Sequence, residues 1–250
     1  MNNGKVIFVT GATSGIGRLI TELCLKNGHT VYATGRNNPS LQMLSKLGAK
    51  VFKADLTKKE DIDFVCNQLP AIDVAVMNAG MGFFQNAFDL LDEDIDTMLD
   101  VNVRAPILLT RRLAKSMIER NSGHFIFISS QAGKVATRKA SVYAASKHAI
   151  TGFSNGLRME LEAYNVKVTS IYPGPIDTPF LQKADPTNAY RDTIKSFLLK
   201  PEKVATTVVK CIDHPVREVN LPKILGISSK LYAVAPKLVE RLGKRFFNKK

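Results

Sequence analysis

The chain has 250 residues, of which 45% are hydrophobic, and it carries a formal net charge of +13. This length and hydrophobic content allow one α/β domain with a large buried core, and no apolar run approaches the roughly 18 residues that cross a membrane. The first residues lead into a short apolar strand and not into the hydrophobic segment of a secretory signal, so we expect a soluble, cytoplasmic protein.

The basic charge balance is compatible with nucleic acid, an anionic membrane, an acidic carrier protein or an anionic cofactor. The sequence has no zinc-finger spacing and no interleaving of aromatic and basic residues that would stack bases, so we do not expect nucleic acid as a partner. The histidines lack metal-ligand spacing, and we predict no metal. Cys24, Cys66 and Cys211 lie in apolar helical patterns without a C-x-x-C motif, which predicts buried free thiols.

Strand and helix patterns alternate along the whole chain. In chain order we predict a strand at 6–9, a helix at 16–26, a strand at 30–33, a helix at 41–47, a strand at 50–53, a helix at 58–68, a strand at 73–77, a helix at 93–120, a strand at 124–128, a helix at 142–164, a strand at 167–171, helices at 190–198 and 201–214, and a last strand at 218–221. This alternation predicts an α/β fold with a doubly wound parallel sheet between two helical layers, which binds its ligand beyond the carboxyl ends of the strands. We expect this domain over residues 1–221 and a basic amphipathic extension over 222–250.

A glycine-rich turn joins the first strand to the first helix. It reads Thr10-Gly11-Ala12-Thr13-Ser14-Gly15-Ile16-Gly17. Glycines there allow a tight turn and close approach of the backbone to a diphosphate, while the helix N-terminus supplies free N–H groups and a favourable dipole. The motif predicts dinucleotide binding.

Tyr143 and Lys147 lie four residues apart on a predicted helix, so both side chains extend from one face. Two unit charges about 5 Å apart at an effective dielectric near 20 interact by roughly 3 kcal/mol, enough to lower a tyrosine pKa from about 10 to roughly 7.5. A phenol with such a pKa exchanges protons near neutral pH. The same spacing also occurs on ordinary amphipathic surface helices, so the surrounding motifs must decide between the two interpretations.

Further polar and glycine residues follow the predicted strands: Asn78-Ala79-Gly80 after the fourth, Ser130 after the fifth, and Pro173-Gly174 after the sixth, with Asn102 inside the long helix. Together with the glycine turn and the Tyr143/Lys147 pair, this order resembles the compact short-chain dehydrogenase/reductase family from about residue 4 to residue 180. The resemblance implies a Rossmann fold, an NAD(P)-dependent oxidoreductase, and a homodimer or homotetramer.

The resemblance also implies a catalytic tetrad of Asn102, Ser130, Tyr143 and Lys147. Ser130 is chosen over Ser129 because the family's serine lies thirteen residues before its tyrosine. In the reducing direction Tyr143 would be the acid and Ser130 the donor that polarises the carbonyl oxygen. Lys147 would lower the tyrosine pKa and reach the nicotinamide ribose, and Asn102 would interrupt its helix and hold a water that relays protons. Without the resemblance, Asn102 would be an ordinary polar residue on a solvated helix face.

Cofactor choice depends on the end of the second strand. NAD-specific members carry an acidic residue at the position of Gly35, whereas this chain continues with Arg36, which can pair with a 2′-phosphate. Ser14 stands where many NADP-dependent relatives have a basic residue, but NADP(H) is still favoured over NAD(H). The cofactor contacts implied by the resemblance are Gly11, Thr13, Ser14, Gly15, Ile16, Gly17, Arg36, Asp55, Leu56, Asn78, Ala79, Gly80, Tyr143, Lys147, Pro173, Gly174, Ile176 and Thr178.

The substrate pocket should be lined from residues 81–84, 131–132, 136–140, Pro175 and 180–197. Most of these residues are apolar, so we infer a bulky, largely apolar ketone, aldehyde or 3-oxoacyl compound, or the matching alcohol. Phe83 and Phe84 could instead only pack their loop. A different function is an NADPH-binding regulatory module, or one associated with membrane or nucleic acid, that has little catalysis. The intact tetrad argues against it.

The tail is strongly basic: residues 223–250 hold eight cationic residues against Glu240 alone, a net charge of +7. Apolar residues recur among them at helical spacing, and Pro236 should kink or start a helix there. These apolar residues are Leu231, Val234, Leu238, Leu242 and Phe246. One interpretation is a helix whose apolar stripe packs on the domain or on a partner subunit beside the pocket. The other is an interfacial helix that contacts anionic lipid.

Overall fold

The computed structural model describes residues 4–243, and its strands and helices alternate as the sequence predicts. The elements are β1 (Val6–Val9), α1 (Gly15–Lys26), β2 (Thr30–Gly35), α2 (Asn38–Lys46), β3 (Lys50–Lys53), α3 (Lys59–Gln68), β4 (Val74–Met77), α4 (Asp92–Leu99), α5 (Ala105–Glu119), β5 (Gly123–Ile128), α6 (Ser141–Leu161), β6 (Val166–Pro173), α7 (Pro179–Ala184), α8 (Ala189–Ile194), α9 (Pro201–Asp213), β7 (Glu218–Leu221), α10 (Lys223–Val234) and α11 (Pro236–Leu242).

The strands form one seven-stranded sheet in the order β3-β2-β1-β4-β5-β6-β7, and every neighbouring pair is parallel. The predicted doubly wound parallel sheet is therefore confirmed. The strand order reverses between β1 and β4, and a crevice opens beyond the carboxyl ends at such a point. The turns after β1 and β4 meet at this edge.

Helices cover both faces of the sheet, which explains why its strands are almost continuously apolar. In β1, Ile7 and Val9 join a cluster with residues of α1, α2 and α9. Phe8, between them, joins the opposite cluster with residues of α3, α5 and α6. This alternation, repeated in β4 and β5, produces the three predicted layers.

The structure differs from the predicted helices at two places. The helix predicted over 93–120 is divided into α4 and α5 by one wide π turn over Asp100–Arg104, which contains Asn102. This agrees with the interruption implied by the resemblance. The segment after β6 contains α7, which the sequence analysis did not predict because a helix of six residues is too short to show a period.

The cysteines are free thiols on α1, α3 and α9: Cys24 and Cys211 are buried, whereas Cys66 is only half-buried. Burial raises the pKa of the Cys24 thiol to about 12, which keeps it protonated and unreactive.

Within residues 4–243, no helix combines the length and the apolar character that crossing a bilayer would need.

The extension contributes two helices, and Pro236 starts the second of them, as predicted. The extension's residues Lys244, Arg245, Phe246, Lys249 and Lys250 lie outside the described residues.

Candidate active site

One large cavity, of about 900 Å³, lies beyond the carboxyl ends of the strands. Every residue predicted to contact the cofactor lines it, from Gly11 in the first turn to Thr178 before α7. Ser130 lines it as well, whereas Asn102 does not. The motifs are scattered over 168 positions of sequence. They meet here because most of them follow a strand of one parallel sheet and because α6, after β5, brings Tyr143 and Lys147 to the same edge.

The glycine turn leaves its backbone bare towards the cavity. Gly11 and Gly15 have positive φ angles of 64° and 53°, a conformation that favours glycine. A Cβ on Gly11 would lie 2.8 Å from the Cα of Ala79, and a Cβ on Gly17 would collide with the Gly11 carbonyl oxygen and the Asn78 amide. Asn78 ties the turn to β4, since its Nδ2 donates to the Thr10 carbonyl oxygen at 2.9 Å. A bare backbone at a helix N-terminus fits a diphosphate group.

Arg36 and Asp55 lie at the β2 side of the cavity. The Arg36 side chain is 63% exposed and its Nη1 lies 3.8 Å from Asp55 Oδ2, so the guanidinium is loosely held. Burial alone would raise the pKa of Asp55, but hydrogen bonds from Thr57 and the charge of Arg36 hold it below its usual value. A Cβ on Gly35 would collide with the Thr13 side chain. An acidic side chain at that position would therefore displace Thr13.

Tyr143 is buried, and the Ser130 side chain favours the charged form of its phenol. Ser130 Oγ accepts from the Ala132 N–H at 3.1 Å, which leaves the hydroxyl proton free to point at the phenol or at a ligand oxygen. Lys147 Nζ donates to the Ile128 carbonyl oxygen at 3.1 Å and lies 5.8 Å from the Tyr143 ring centroid.

Burial raises the pKa of Tyr143 to about 12 and lowers the pKa of Lys147 to about 8. The expected lowering of the tyrosine pKa to roughly 7.5 is therefore wrong for this structure. Desolvation outweighs the attraction of the ammonium, which is directed at a backbone carbonyl. At neutral pH the phenol keeps its proton and Lys147 remains mostly charged, so Tyr143 can act as a proton donor.

Asn102 is buried behind the cavity and holds the loop after β4 to α6. Its Oδ1 accepts from the Met81 N–H at 2.9 Å and its Nδ2 donates to the Met81 carbonyl oxygen at 2.8 Å. The same Nδ2 donates to Ser146 Oγ at 3.0 Å, and Ser146 donates to the Tyr143 carbonyl oxygen at 2.7 Å. The amide thus fixes backbone on both sides of the cavity. Sequence reasoning did not single out Ser146, although it lies inside the Tyr143–Lys147 motif.

Aromatic rings surround Tyr143 on the side away from the glycine turn. The Phe84 ring is 5.8 Å from the Tyr143 ring and 5.3 Å from the Tyr190 ring, and the Phe180 ring is 5.8 Å from the Tyr143 ring. All of these residues line the cavity. Phe84 therefore forms part of the cavity wall and does not only pack its own loop.

The extension supplies a wall that the sequence analysis did not assign. Its lining residues are Ile224, Leu225, Ser228, Tyr232, Val239 and Gly243. They carry no motif, and none of them belongs to the apolar stripe that the sequence shows in the tail, so no signal in the sequence pointed to them. From the predicted range 136–140, the structure brings Thr137 to the cavity.

Comparison with known proteins agrees with this geometry. A sequence model of the family described as short chain dehydrogenase matches residues 5–189. An uncharacterized oxidoreductase of Staphylococcus aureus is 32% identical over 228 residues, covering 88% of this chain and 95% of that protein.

Two solved structures show the same fold. A serine dehydrogenase complexed with NADP+ is 34% identical with a TM-score of 0.80, covering 86% of this chain and 93% of that chain. A 4-hydroxyisoleucine dehydrogenase complexed with NADH is 27% identical with a TM-score of 0.78, covering 87% of this chain and 96% of that chain. The family match, the fold and the motifs around one cavity agree, and the chain belongs to the short-chain dehydrogenase/reductase family of NAD(P)-dependent oxidoreductases.

Proposed function

We propose that the protein is an NADPH-dependent carbonyl reductase, working reversibly as an alcohol dehydrogenase, for bulky apolar ketones, aldehydes or 3-oxoacyl compounds. The observation that carries the proposal is the aromatic wall of Phe84, Phe180 and Tyr190 around the Tyr143 phenol. The wall belongs to the same cavity as the glycine turn. Such a wall excludes water and favours an apolar carbonyl compound.

The residues that line the glycine-turn side of the cavity would hold a nicotinamide cofactor, which would supply the hydride that the carbonyl carbon gains. Tyr143 supplies the proton that the carbonyl oxygen gains, and its pKa of about 12 keeps that proton in place until the oxygen becomes basic. The Ser130 hydroxyl donates a hydrogen bond to the same oxygen and stabilises its developing charge. Lys147 would return a proton to the phenolate after the reaction. It would also hydrogen-bond the hydroxyls of the nicotinamide ribose. Asn102 positions Tyr143 and the loop after β4 through its hydrogen bonds to Ser146 and Met81. We also propose that Asn102 holds a water that relays protons to Lys147.

The preference for NADPH is supported by the β2 end of the cavity. Arg36 is exposed and loosely paired, so it is available to a 2′-phosphate. An acidic side chain in place of Gly35 would collide with Thr13. Asp55 and Leu56 would contact the adenine, Asn78 and Ala79 the adenosine ribose, and Thr178 the carboxamide. Of the two solved relatives, the serine dehydrogenase is complexed with NADP+ and the 4-hydroxyisoleucine dehydrogenase with NADH.

We also propose a cytoplasmic homodimer or homotetramer. Large apolar side chains on α4 and α6 are exposed in the single chain: Leu99 is 40% exposed and Met159 is 71% exposed. A second subunit covering them would remove this apolar surface from water.

A panel assay tests the reaction. The protein is incubated with NADPH and apolar ketones, aldehydes and acetoacetyl thioesters, and with NADP+ and serine or other hydroxy acids, while the absorbance of the reduced nicotinamide is followed. We expect turnover with apolar carbonyls. Turnover of serine alone would indicate a hydroxy-acid dehydrogenase, and NADPH binding without turnover of any compound would indicate the regulatory module.

Replacing Arg36 by alanine should weaken NADPH binding by about 1.5 to 3 kcal/mol, because a charge-assisted hydrogen bond to the 2′-phosphate is lost. NADH binding should hardly change. Titration of both cofactors measures this difference, and Arg18→Ala, on the first helix and outside the cavity lining, is the control. Equal losses for NADPH and NADH would contradict the role given to Arg36.

The reduction should slow as the pH rises through about 8, since Lys147 has a pKa of about 8 and its charged form is lost above that value. Tyr143 stays protonated throughout this range. Measuring kcat/KM for carbonyl reduction against pH tests this, and Lys147→Arg, which stays charged, should flatten the profile near pH 8 even if its maximum is lower. A wild-type profile without a fall near pH 8 would contradict the assignment.

A further inference from the structure

The helix α10 has its small residues inside and its large apolar residues outside. Gly226 and Ser229 are its buried residues, and a Cβ on Gly226 would lie 2.8 Å from Asn220 Cγ in β7. At about 100° per residue, one group of large side chains falls on the opposite side of the helix. These are Ile224, Ile227, Leu231 and Val234, with exposed fractions of 62%, 66%, 55% and 85%.

The following helix α11 packs against α10 and adds two more exposed large apolar side chains, Leu238 and Leu242, which are 54% and 80% exposed. We call these six residues the outer apolar face. The amphipathic helix α9 of the same chain behaves in the usual way, since its Val204 and Val208 are fully buried. The expectation that the tail's apolar stripe packs on its own domain is therefore wrong: the inner side of α10 packs there, and the stripe faces outward. Six exposed large apolar side chains on two helices in contact indicate an interaction site.

Cationic residues follow one edge of the outer apolar face. Each of them is the residue directly before an apolar residue of the face. Around the helix axis it is therefore displaced by about 100° from that apolar residue, and always in the same direction. These residues are Lys223, Lys230, Lys237 and Arg241. Glu240 is the acidic residue of this segment, and its carboxylate accepts from the Tyr232 hydroxyl at 2.9 Å. The described part of the extension thus presents a net charge of +3, and the sequence beyond Gly243 adds four more cations.

We propose that the outer apolar face docks on an anionic membrane surface. An anionic bilayer accepts apolar side chains below its headgroups and cations among them, which matches an apolar face edged by lysine and arginine. A second copy of the chain fits less well, because symmetric pairing would place these cations against the same cations.

The inner side of the same two helices forms a wall of the cavity, through Leu225, Tyr232 and Val239. Ile224 belongs to both sides, since it lines the cavity and is 62% exposed. Docking would therefore place this edge of the cavity at the lipid surface. Where the proposed function holds, an apolar substrate dissolved in the bilayer would reach Tyr143 without crossing bulk water.

Cosedimentation of the full chain with phosphatidylcholine vesicles, with and without phosphatidylglycerol, tests the docking at low and high salt. We expect sedimentation with the anionic vesicles at low salt. The double variant Ile227→Glu/Val234→Glu should lose it. The control Leu47→Glu/Phe88→Glu adds the same charge at side chains that are 54% and 87% exposed elsewhere, and it should still bind.

The electrostatic contribution is tested by Lys230→Gln/Lys237→Gln. Each cation near an anionic surface strengthens partitioning about fivefold, so this variant should partition about 25-fold more weakly. Lys26→Gln/Lys46→Gln, which removes the same charge from α1 and α2, should change partitioning much less. Circular dichroism melting curves of all variants verify that they are folded.

Vesicle binding that anionic lipid does not strengthen would overturn the proposal, and so would binding that Ile227→Glu/Val234→Glu retains. A concentration-dependent dimer that this variant dissociates would also overturn it, because a second copy would then cover the face. Sedimentation does not depend on turnover. A failure here leaves the proposed reaction standing, and an inactive panel leaves the docking standing.

Discussion

Replacing Tyr143 by phenylalanine should lower carbonyl-reducing turnover by about 10²- to 10⁴-fold, the usual contribution of a general acid. The phenylalanine ring keeps the contacts with Phe84 and Phe180, so the cavity retains its shape. The affinity for NADPH should therefore change little. Single-turnover kinetics on the best panel substrate and a fluorescence titration of NADPH separate the two quantities.

Tyr190→Phe is the matched control, because it removes a second, half-buried phenol from the lining of the same cavity. We expect it to retain most of the turnover. If Tyr143→Phe kept more than about a tenth of wild-type turnover, or if Tyr190→Phe caused the larger loss, Tyr143 would not be the acid.

Gly17→Ala should weaken NADPH binding by about 100-fold, because its Cβ collides with the Gly11 carbonyl oxygen and the Asn78 amide. The turn would have to shift, which would cost at least one charge-assisted hydrogen bond from its N–H groups to the diphosphate, a loss of about 1.5 to 3 kcal/mol or roughly 10- to 150-fold in affinity. The affinity for NADPH, measured by titration, checks the prediction.

Gly156→Ala on α6 is its control, since a Cβ there meets nothing within 4 Å. This change should leave NADPH binding intact and stabilise the helix by about 0.5 to 1 kcal/mol. Urea denaturation of both variants measures their stability. If Gly17→Ala bound NADPH normally, the turn after β1 would not be the diphosphate site.

The positions of the site residues could be predicted because each follows a strand directly in sequence. Gly11 follows β1, Asn78 follows β4, Ser130 follows β5 and Gly174 follows β6. Once the alternation of strand and helix indicated a parallel sheet, all four had to lie at its carboxyl edge. The π turn at Asn102 had no such local signal and was expected only through the family resemblance.

The electrostatics of the site could not be predicted from spacing. The phenol of Tyr143 is desolvated by rings from distant parts of the chain, Phe84 and Phe180. A helical spacing of four residues contains no information on that burial. The spacing indicated that the charge of Lys147 would lower the pKa of Tyr143. It gave no sign of the desolvation, which raises that pKa by more.

The orientation of α10 could not be predicted from the sequence either. Periodicity shows that apolar residues share one side of a helix, but not whether that side faces the core. Here the close packing of Gly226 on Asn220 shows which side of α10 faces the domain. Neither a glycine nor an asparagine has the apolar side chain by which core positions are predicted from a sequence.

The double hydrogen bond between Asn102 and the Met81 backbone has a consequence for how this enzyme could diversify. It makes the loop after β4 and the Tyr143 helix a single rigid frame, which any change of substrate must leave intact. Within residues 4–243, the hydrogen bonds of that amide go to Met81 and Ser146 and not to the walls built by α7, α8, α10 and α11. Side chains of these helices that line the cavity could therefore change, and a new specificity could arise there while the Asn102 hydrogen bonds stay in place.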